Sequence, residues 1–249
     1  MNAGRSRSTE ILIVGGPHSG VGKTLAAEIA LRTLAGRHFG AIKLTVADGE
    51  RDPHDHGASA SVLADAAGIC GRGDSCGVCE TVSAKIPSRL ITSAGAINKV
   101  HTDTWRLAQA GATAVAWVIA LRAAAPAAVE AAIQYLRKKE ARGVVIEGTT
   151  ALEWIEPSAS VMVATNPGKA WKNVALERVG DCDIVLLNRM PATAGDREAP
   201  PQFFSARPLS CDLADPEDAG YRAYVARLST LCGLSGPPAR ATSARSAAS

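Results

Sequence analysis

The run Ile-Leu-Ile-Val-Gly-Gly-Pro-His-Ser-Gly-Val-Gly-Lys-Thr at residues 11–24 constrains the fold more than any other segment. Ile11 to Val14 form an apolar stretch suited to a central parallel strand, buried on both faces. Gly15, Gly16, Gly20 and Gly22 let the chain wrap tightly with its N–H groups turned inward, a concavity that suits an anion. Lys23 is placed to reach the β- and γ-phosphates of a nucleotide, and Thr24 to offer its hydroxyl to Mg²⁺. A helix over 24–36 then points its positive N-terminal end at the same anion. The strict spacing Gly-x4-Gly-Lys-Thr would need glycine at position 17. The chain has Pro17 there, with Gly16 one place early, while Ser19-Gly-Val-Gly-Lys-Thr24 is intact. Gly16, Ser19, Gly20, Val21, Gly22, Lys23 and Thr24 are therefore the candidate nucleotide ligands.

Beyond this loop, short apolar runs at 10–15, 39–45, 113–120, 143–147, 160–164 and 183–188 predict strands. Longer stretches at 24–36, 57–68, 102–111, 126–141 and 216–231 predict helices. Such alternation calls for an α/β fold, a doubly wound, mostly parallel sheet with helices on both faces. The helix over 126–141 carries Pro126 in its first turn, ends in a basic cluster suited to a helix C-terminus, and is expected to stop before Gly143. One nucleotide-binding domain is expected over 9–235, between an arm (1–8) and a small, polar, Pro-containing tail (236–249), both expected to be unstructured. Residues 48–101 break the alternation. They read as an inserted loop region above the strand ends, where ligands bind in such sheets.

Bulk properties exclude several classes. With 249 residues, 47% of them hydrophobic, the chain can bury one large core. Its net charge of +3 is weak and the basic residues are scattered. Without a basic stripe interleaved with aromatics, nucleic acid is not an expected partner. No run of 18 apolar residues is present, so no membrane span is expected. The polar start, Met1 to Ser8, lacks the apolar stretch of a secretory signal, so a cytoplasmic location is expected. The six cysteines should then be reduced, which favours metal binding or burial over disulfides.

Three strand ends carry further candidates. Glu147 closes the apolar strand Gly143-Val-Val-Ile-Glu147, where a carboxylate beside a phosphate loop can hold Mg²⁺ directly or through water. Asp48 follows the second strand as a metal or water ligand, or as a turn residue. Lys43, mid-strand among apolar residues, either faces an anionic substrate or snorkels from an edge. Asn188 ends the strand over 183–188 and can read a nucleobase through its donor and acceptor, or simply terminate the strand. Cys70, Cys76 and Cys79 place three thiols within ten residues, among glycines that let the backbone fold around an ion. That spacing supplies three ligands for Zn²⁺ or an iron–sulfur cluster. His54, His56, His101, Cys182, Cys211 and Cys232 are candidates for a fourth. A redox or sulfur-handling role and a structural one are the alternatives.

Four segments together resemble the molybdopterin-guanine dinucleotide biosynthesis protein B family, within the P-loop class that includes dethiobiotin synthetase and the MinD-like ATPases. They are Gly15–Thr24, Gly40–Lys43, His101–Ala112 and Val144–Gly148. In the third, Asp103, Thr104, Arg106 and Ala110-Gly-Ala112 match that family's Lys-Asp-Ser/Thr-x-Arg run before Ala-Gly-Ala. The resemblance implies a P-loop nucleotide-binding protein, often dimeric, that assists a pterin–molybdenum cofactor pathway. Dethiobiotin synthetase is also similar at the loop, at Lys43, at Glu147-Gly148 and near Asn188, which would imply ATP rather than GTP. His18 stands where MinD-like ATPases carry a signature lysine, and the cysteine insertion is outside the family pattern. The expected protein is a Mg²⁺-dependent ATP- or GTP-binding NTPase with Lys23, Glu147 and Asp48 in catalytic roles and Thr24 and Glu147 at the metal. Its expected task is biosynthesis or delivery of a metal-containing cofactor. The alternatives are an ATP-dependent small-molecule kinase or ligase, or a non-catalytic nucleotide-gated binding module.

Overall fold

A computed structural model describes residues 9–47, 81–165, 171–189 and 208–234. Their core is an eight-stranded sheet of order β3-β4-β2-β5-β1-β6-β7-β8. The strands are β1 (Glu10–Gly15), β2 (Phe39–Ala47), β3 (Ser88–Ile91), β4 (Val115–Leu121), β5 (Gly143–Glu147), β6 (Ala159–Thr165), β7 (Ile184–Asn188) and β8 (Leu209–Cys211). Every neighbouring pair is parallel except β3 with β4. The helices are α1 (Lys23–Thr33), α2 (Ala94–Ile97), α3 (Asp103–Gln109), α4 (Ala125–Lys138), α5 (Asn173–Arg178) and α6 (Ala219–Leu231).

Strict alternation along β1 explains its unbroken apolar run. Leu12 and Val14 join the core under α1, α3 and α6, whereas Ile13 joins the opposite core with α4 and α5. A strand covered on both faces has no position for a polar side chain without a partner. Helix α1 is covered nearly all round, and its alanines let α6 come close enough for the Tyr224 hydroxyl to donate to the Ala26 carbonyl at 3.0 Å. The mostly parallel α/β architecture agrees with the expectation. No described helix is long and apolar enough to cross a membrane.

The expected elements that lie in the described region are present: β1 and β5 have the expected bounds, and the ends of the others shift by up to three residues. Helix α4 stops at Lys138, and Glu140 takes the left-handed turn at φ 64°. Gly143 is no helix stop. It opens β5, where a Cβ would meet the Phe39 ring at 2.4 Å. Four elements, β3, α2, α5 and β8, have no expected counterpart. Each is three to six residues long, too short for periodicity to register, and each is held by its neighbours. The expected helix 57–68, the arm, the whole tail and residues 48–80 of the insertion lie outside the described residues.

The β8–α6 junction is tight. Asp218 caps α6 by accepting from the amides of Gly220 (2.8 Å) and Tyr221 (3.1 Å). A Cβ at Gly220 would stand 2.1 Å from the Ser210 carbonyl oxygen. Because backbone cannot rotate away as a side chain can, Gly220→Ala is expected to cost about 3 kcal/mol. An unchanged urea midpoint would show that β8 and α6 separate freely.

Candidate functional site

Three neighbouring strands end together. The register sets Val14 beside Glu147 and Glu147 beside Lys43. The chain leaves β1 on one face, through α1, and leaves β5 on the other, through the 3₁₀ turn Thr149–Glu153. Ligands bind in parallel sheets at such a point, where connections diverge beyond the carboxyl ends of strands.

The glycine-rich loop between β1 and α1 is braced on both sides. The amide of Gly16 donates to Thr149 Oγ1 at 2.8 Å, and that hydroxyl donates back to the Gly16 carbonyl at 2.7 Å. Val21 is fully buried beneath the loop. Asn188 Nδ2 donates to the Val21 carbonyl at 3.0 Å, and Asn188 Oδ1 accepts from the Leu213 amide at 3.2 Å. Gly22 immediately precedes α1 at φ 104°, and a Cβ there would meet Asn188 Nδ2 at 2.6 Å. The left-handed backbone and the close approach both require glycine. No side chain caps α1, so its first-turn amides are open to an incoming anion.

Lys23 Nζ donates to the His18 carbonyl at 2.5 Å, so its side chain folds back over the loop. Burial outweighs the favourable charge of Glu147 and pulls the Lys23 pKa down from 10.5 to about 8. Thr24 Oγ1 donates to Glu147 Oε2 at 3.1 Å. The other Glu147 oxygen lies 2.6 Å from Lys43 Nζ, which is also 2.7 Å from Asp103 Oδ2. Glu147 is 1% and Lys43 8% exposed. Burial works against the Lys43 ammonium, but Glu147 and Asp103 overcome it and hold its pKa above the ordinary lysine value. Lys43 thus faces the cleft between two carboxylates and does not snorkel from an edge.

These groups line a cleft of about 420 Å³. Among the residues expected from sequence, Ser19, Gly20, Gly22, Lys23, Thr24, Glu147 and Asn188 line it together. Gly16 and Val21 instead shape the loop from beneath. Both polar ends of the Asn188 side chain are committed to backbone, leaving one Nδ2 hydrogen for a ligand. The sequence reading gave no role to Thr149, Arg189 or Asp212, and it reached Asp103 and Arg106 only through resemblance. The i, i+3 spacing of Asp103 and Arg106 on one short helix was the one local signal for that pair.

Asp48, Cys70, Cys76, Cys79, His54 and His56 lie outside the described residues. Among the described residues no group of three His, Cys, Asp or Glu side chains is arranged to hold a metal ion. Cys182 and Cys211 are buried, and burial pushes their thiols up to about 12 and about 11. Both sit in the core as small hydrophobic groups. Compared with models of known protein families and with curated proteins, the chain matches none.

Proposed function

We propose that the chain is a Mg²⁺-dependent P-loop nucleotide-binding protein, and that it hydrolyses or transfers the terminal phosphoryl group of ATP or GTP. One observation carries this reading: a braced loop, a desolvated lysine, uncapped helix amides, a hydroxyl and a buried carboxylate meet in one cleft at a strand switch point. Loop amides and Lys23 would hold the β- and γ-phosphates, where charge develops during transfer. Asn188 braces the loop at the far end and keeps one donor for the base.

The donor set also suits the metal. Thr24 Oγ1 and Glu147 Oε2 are hard oxygen ligands 3.1 Å apart. Adjacent oxygens on an octahedral Mg²⁺ stand about 2.9 Å apart, from bonds of about 2.05 Å. Thr24 and Glu147 would hold Mg²⁺ there, where it would supply positive charge to the terminal phosphates, and Asp48 is proposed as a further water or metal contact.

The service of a metal-containing cofactor, with Cys70, Cys76 and Cys79 holding zinc or an iron–sulfur cluster, rests on sequence alone. So do the second copy in a dimer and the cytoplasmic location. A small-molecule kinase or ligase is favoured by one feature, the Lys43–Asp103 pair, which forms a charged wall beside the phosphate site suited to an acceptor.

Calorimetric titration of the purified chain with ATP and GTP, with and without Mg²⁺, tests the reading. Micromolar or tighter binding that weakens at least tenfold when EDTA removes Mg²⁺ is expected. Absence of binding by either nucleotide at millimolar concentration refutes it. Metal and acid-labile sulfide analysis after anaerobic purification tests the cysteines separately, and metal lost from a Cys70, Cys76 and Cys79 triple serine variant is the expected result.

A further inference from the structure

Helix α1 buries a carboxylate that the nucleotide reading does not use. Glu28 is 5% exposed and sits one turn beyond Thr24. A charge taken out of water needs partners, and two arginines supply them. Arg32, one turn on, donates to Glu28 Oε2 at 2.8 Å. Arg106 on α3 brings Nε to 2.5 Å from Glu28 Oε1. That contact is close but angled off the N–H axis, since Glu28 Oε1 accepts no hydrogen bond, so it is an ion pair.

Arg32 alone already gives the carboxylate a counter-charge. Arg106 therefore does more than neutralise Glu28. Its Nε is the atom that meets Glu28, which puts the two terminal nitrogens at the outer end of the guanidinium. The residue is partly exposed and lines the same cleft as Thr24, Lys43, Asp103 and Glu147. Asp103 and Arg106 stand one turn apart on α3, matching Thr24 and Glu28 one turn apart on α1. The two helices thus present an anchored guanidinium beside Thr24, Lys43 and Glu147, in the cleft assigned above to magnesium and phosphate. Asn188 on β7 lies four strands from Lys43 on β2, about 19 Å at ~4.8 Å per strand. A nucleotide lying between them, base toward β7, directs its terminal phosphate toward Arg106.

We propose that Arg106 is an arginine finger supplied in cis, and that Glu28 is the positioning residue that holds its planar fork toward the phosphoryl group in transit. This rests on the nucleotide reading above. In hydrolysis, the bond between γ-phosphorus and the β–γ bridging oxygen breaks, and its electron pair stays on the diphosphate. A water oxygen bonds to phosphorus, and that water releases one proton to solvent. The fork meets the charge spread over the equatorial oxygens, an interaction stronger in the transition state than in the bound nucleotide.

The test compares wild type with Arg106→Ala, Arg106→Lys and Glu28→Gln. Nucleotide Kd, single-turnover rate, melting temperature and trapping of nucleoside diphosphate with fluoroaluminate, a planar phosphoryl mimic, are measured for each. Arg106→Ala is expected to keep Kd within about threefold while turnover falls about 10³-fold and the fluoroaluminate complex disappears. Arg106→Lys should fail likewise, because an ammonium cannot reproduce the fork, and it carries the comparison if the alanine variant does not fold. Glu28→Gln should lower turnover with less effect on Kd. A wild type that binds nucleotide but traps no fluoroaluminate overturns the finger and leaves the site standing. Arg106 variants that keep turnover and the complex do the same. A wild type that binds no nucleotide overturns both readings.

Discussion

Glu147→Gln is expected to lower the unfolding free energy by about 3 kcal/mol at pH 7, measured by urea denaturation. The carboxylate is buried between Lys43 and Thr24, and its removal leaves Lys43 charged in a site almost closed to water. Losing one partner of a buried pair costs about 3–5 kcal/mol. The low end applies because Asp103 still holds the Lys43 ammonium at 2.7 Å. Adding Lys43→Met should recover most of the loss, since an apolar side chain of similar length needs no counter-charge. A drop below about 1 kcal/mol, or a double variant no better than the single, would show that water reaches the pair.

The pH window follows from the direction of the Lys43 shift. Its pKa in the folded protein lies above the ordinary 10.5. The pair's stabilisation is therefore fully present below pH 10.5 and is lost only as pH rises through the higher folded value. Between pH 6 and 9 the Glu147→Gln penalty should stay constant.

Lys23→Met is expected to have the opposite profile. Burial strips the Lys23 ammonium of water, and its pKa falls to about 8. Among the described residues its hydrogen-bond partner is one loop carbonyl, that of His18. Replacing it with an apolar side chain removes that desolvation, so the melting temperature should be no lower than that of wild type. Nucleotide affinity should fall sharply. Truncating one partner of a buried charge pair costs about 2–5 kcal/mol, or about 30- to several thousand-fold in Kd. A residue kept at a cost to the fold and needed for binding is the mark of a functional site. Loss of stability with unchanged affinity would make Lys23 a structural loop clamp. Together the two substitutions separate two roles: Glu147 serves the fold as well as the proposed metal, whereas Lys23 serves the ligand alone.

Much of the site was legible because the loop is local. Lys23 and Thr24 follow Gly22 directly, and the strand before them is marked by continuous apolar burial. Glu147 was legible too, since a carboxylate closing an apolar strand interrupts the pattern that defines the strand. Gly143 shows the limit. Its place after a basic cluster read as a helix stop, whereas the Phe39 ring, brought across from β2, is what requires glycine there. The short elements β3 and β8 were illegible for a related reason, because three or four residues form a strand only when a neighbour's backbone is beside them.

The sequence by itself determined the succession of the longer strands and helices, the mostly parallel sheet and the glycine-rich turn that leads into Lys23 and Thr24, because each is written in residues close along the chain. Only the tertiary structure decided that Lys43 pairs with Glu147 across 104 residues, that Thr24 reaches Glu147 across 123, and that Asn188 braces Val21 across 167. It also set Arg106 against Glu28. A side chain's propensity is local, but the partner a buried charge finds depends on which strands and helices the packed core makes adjacent.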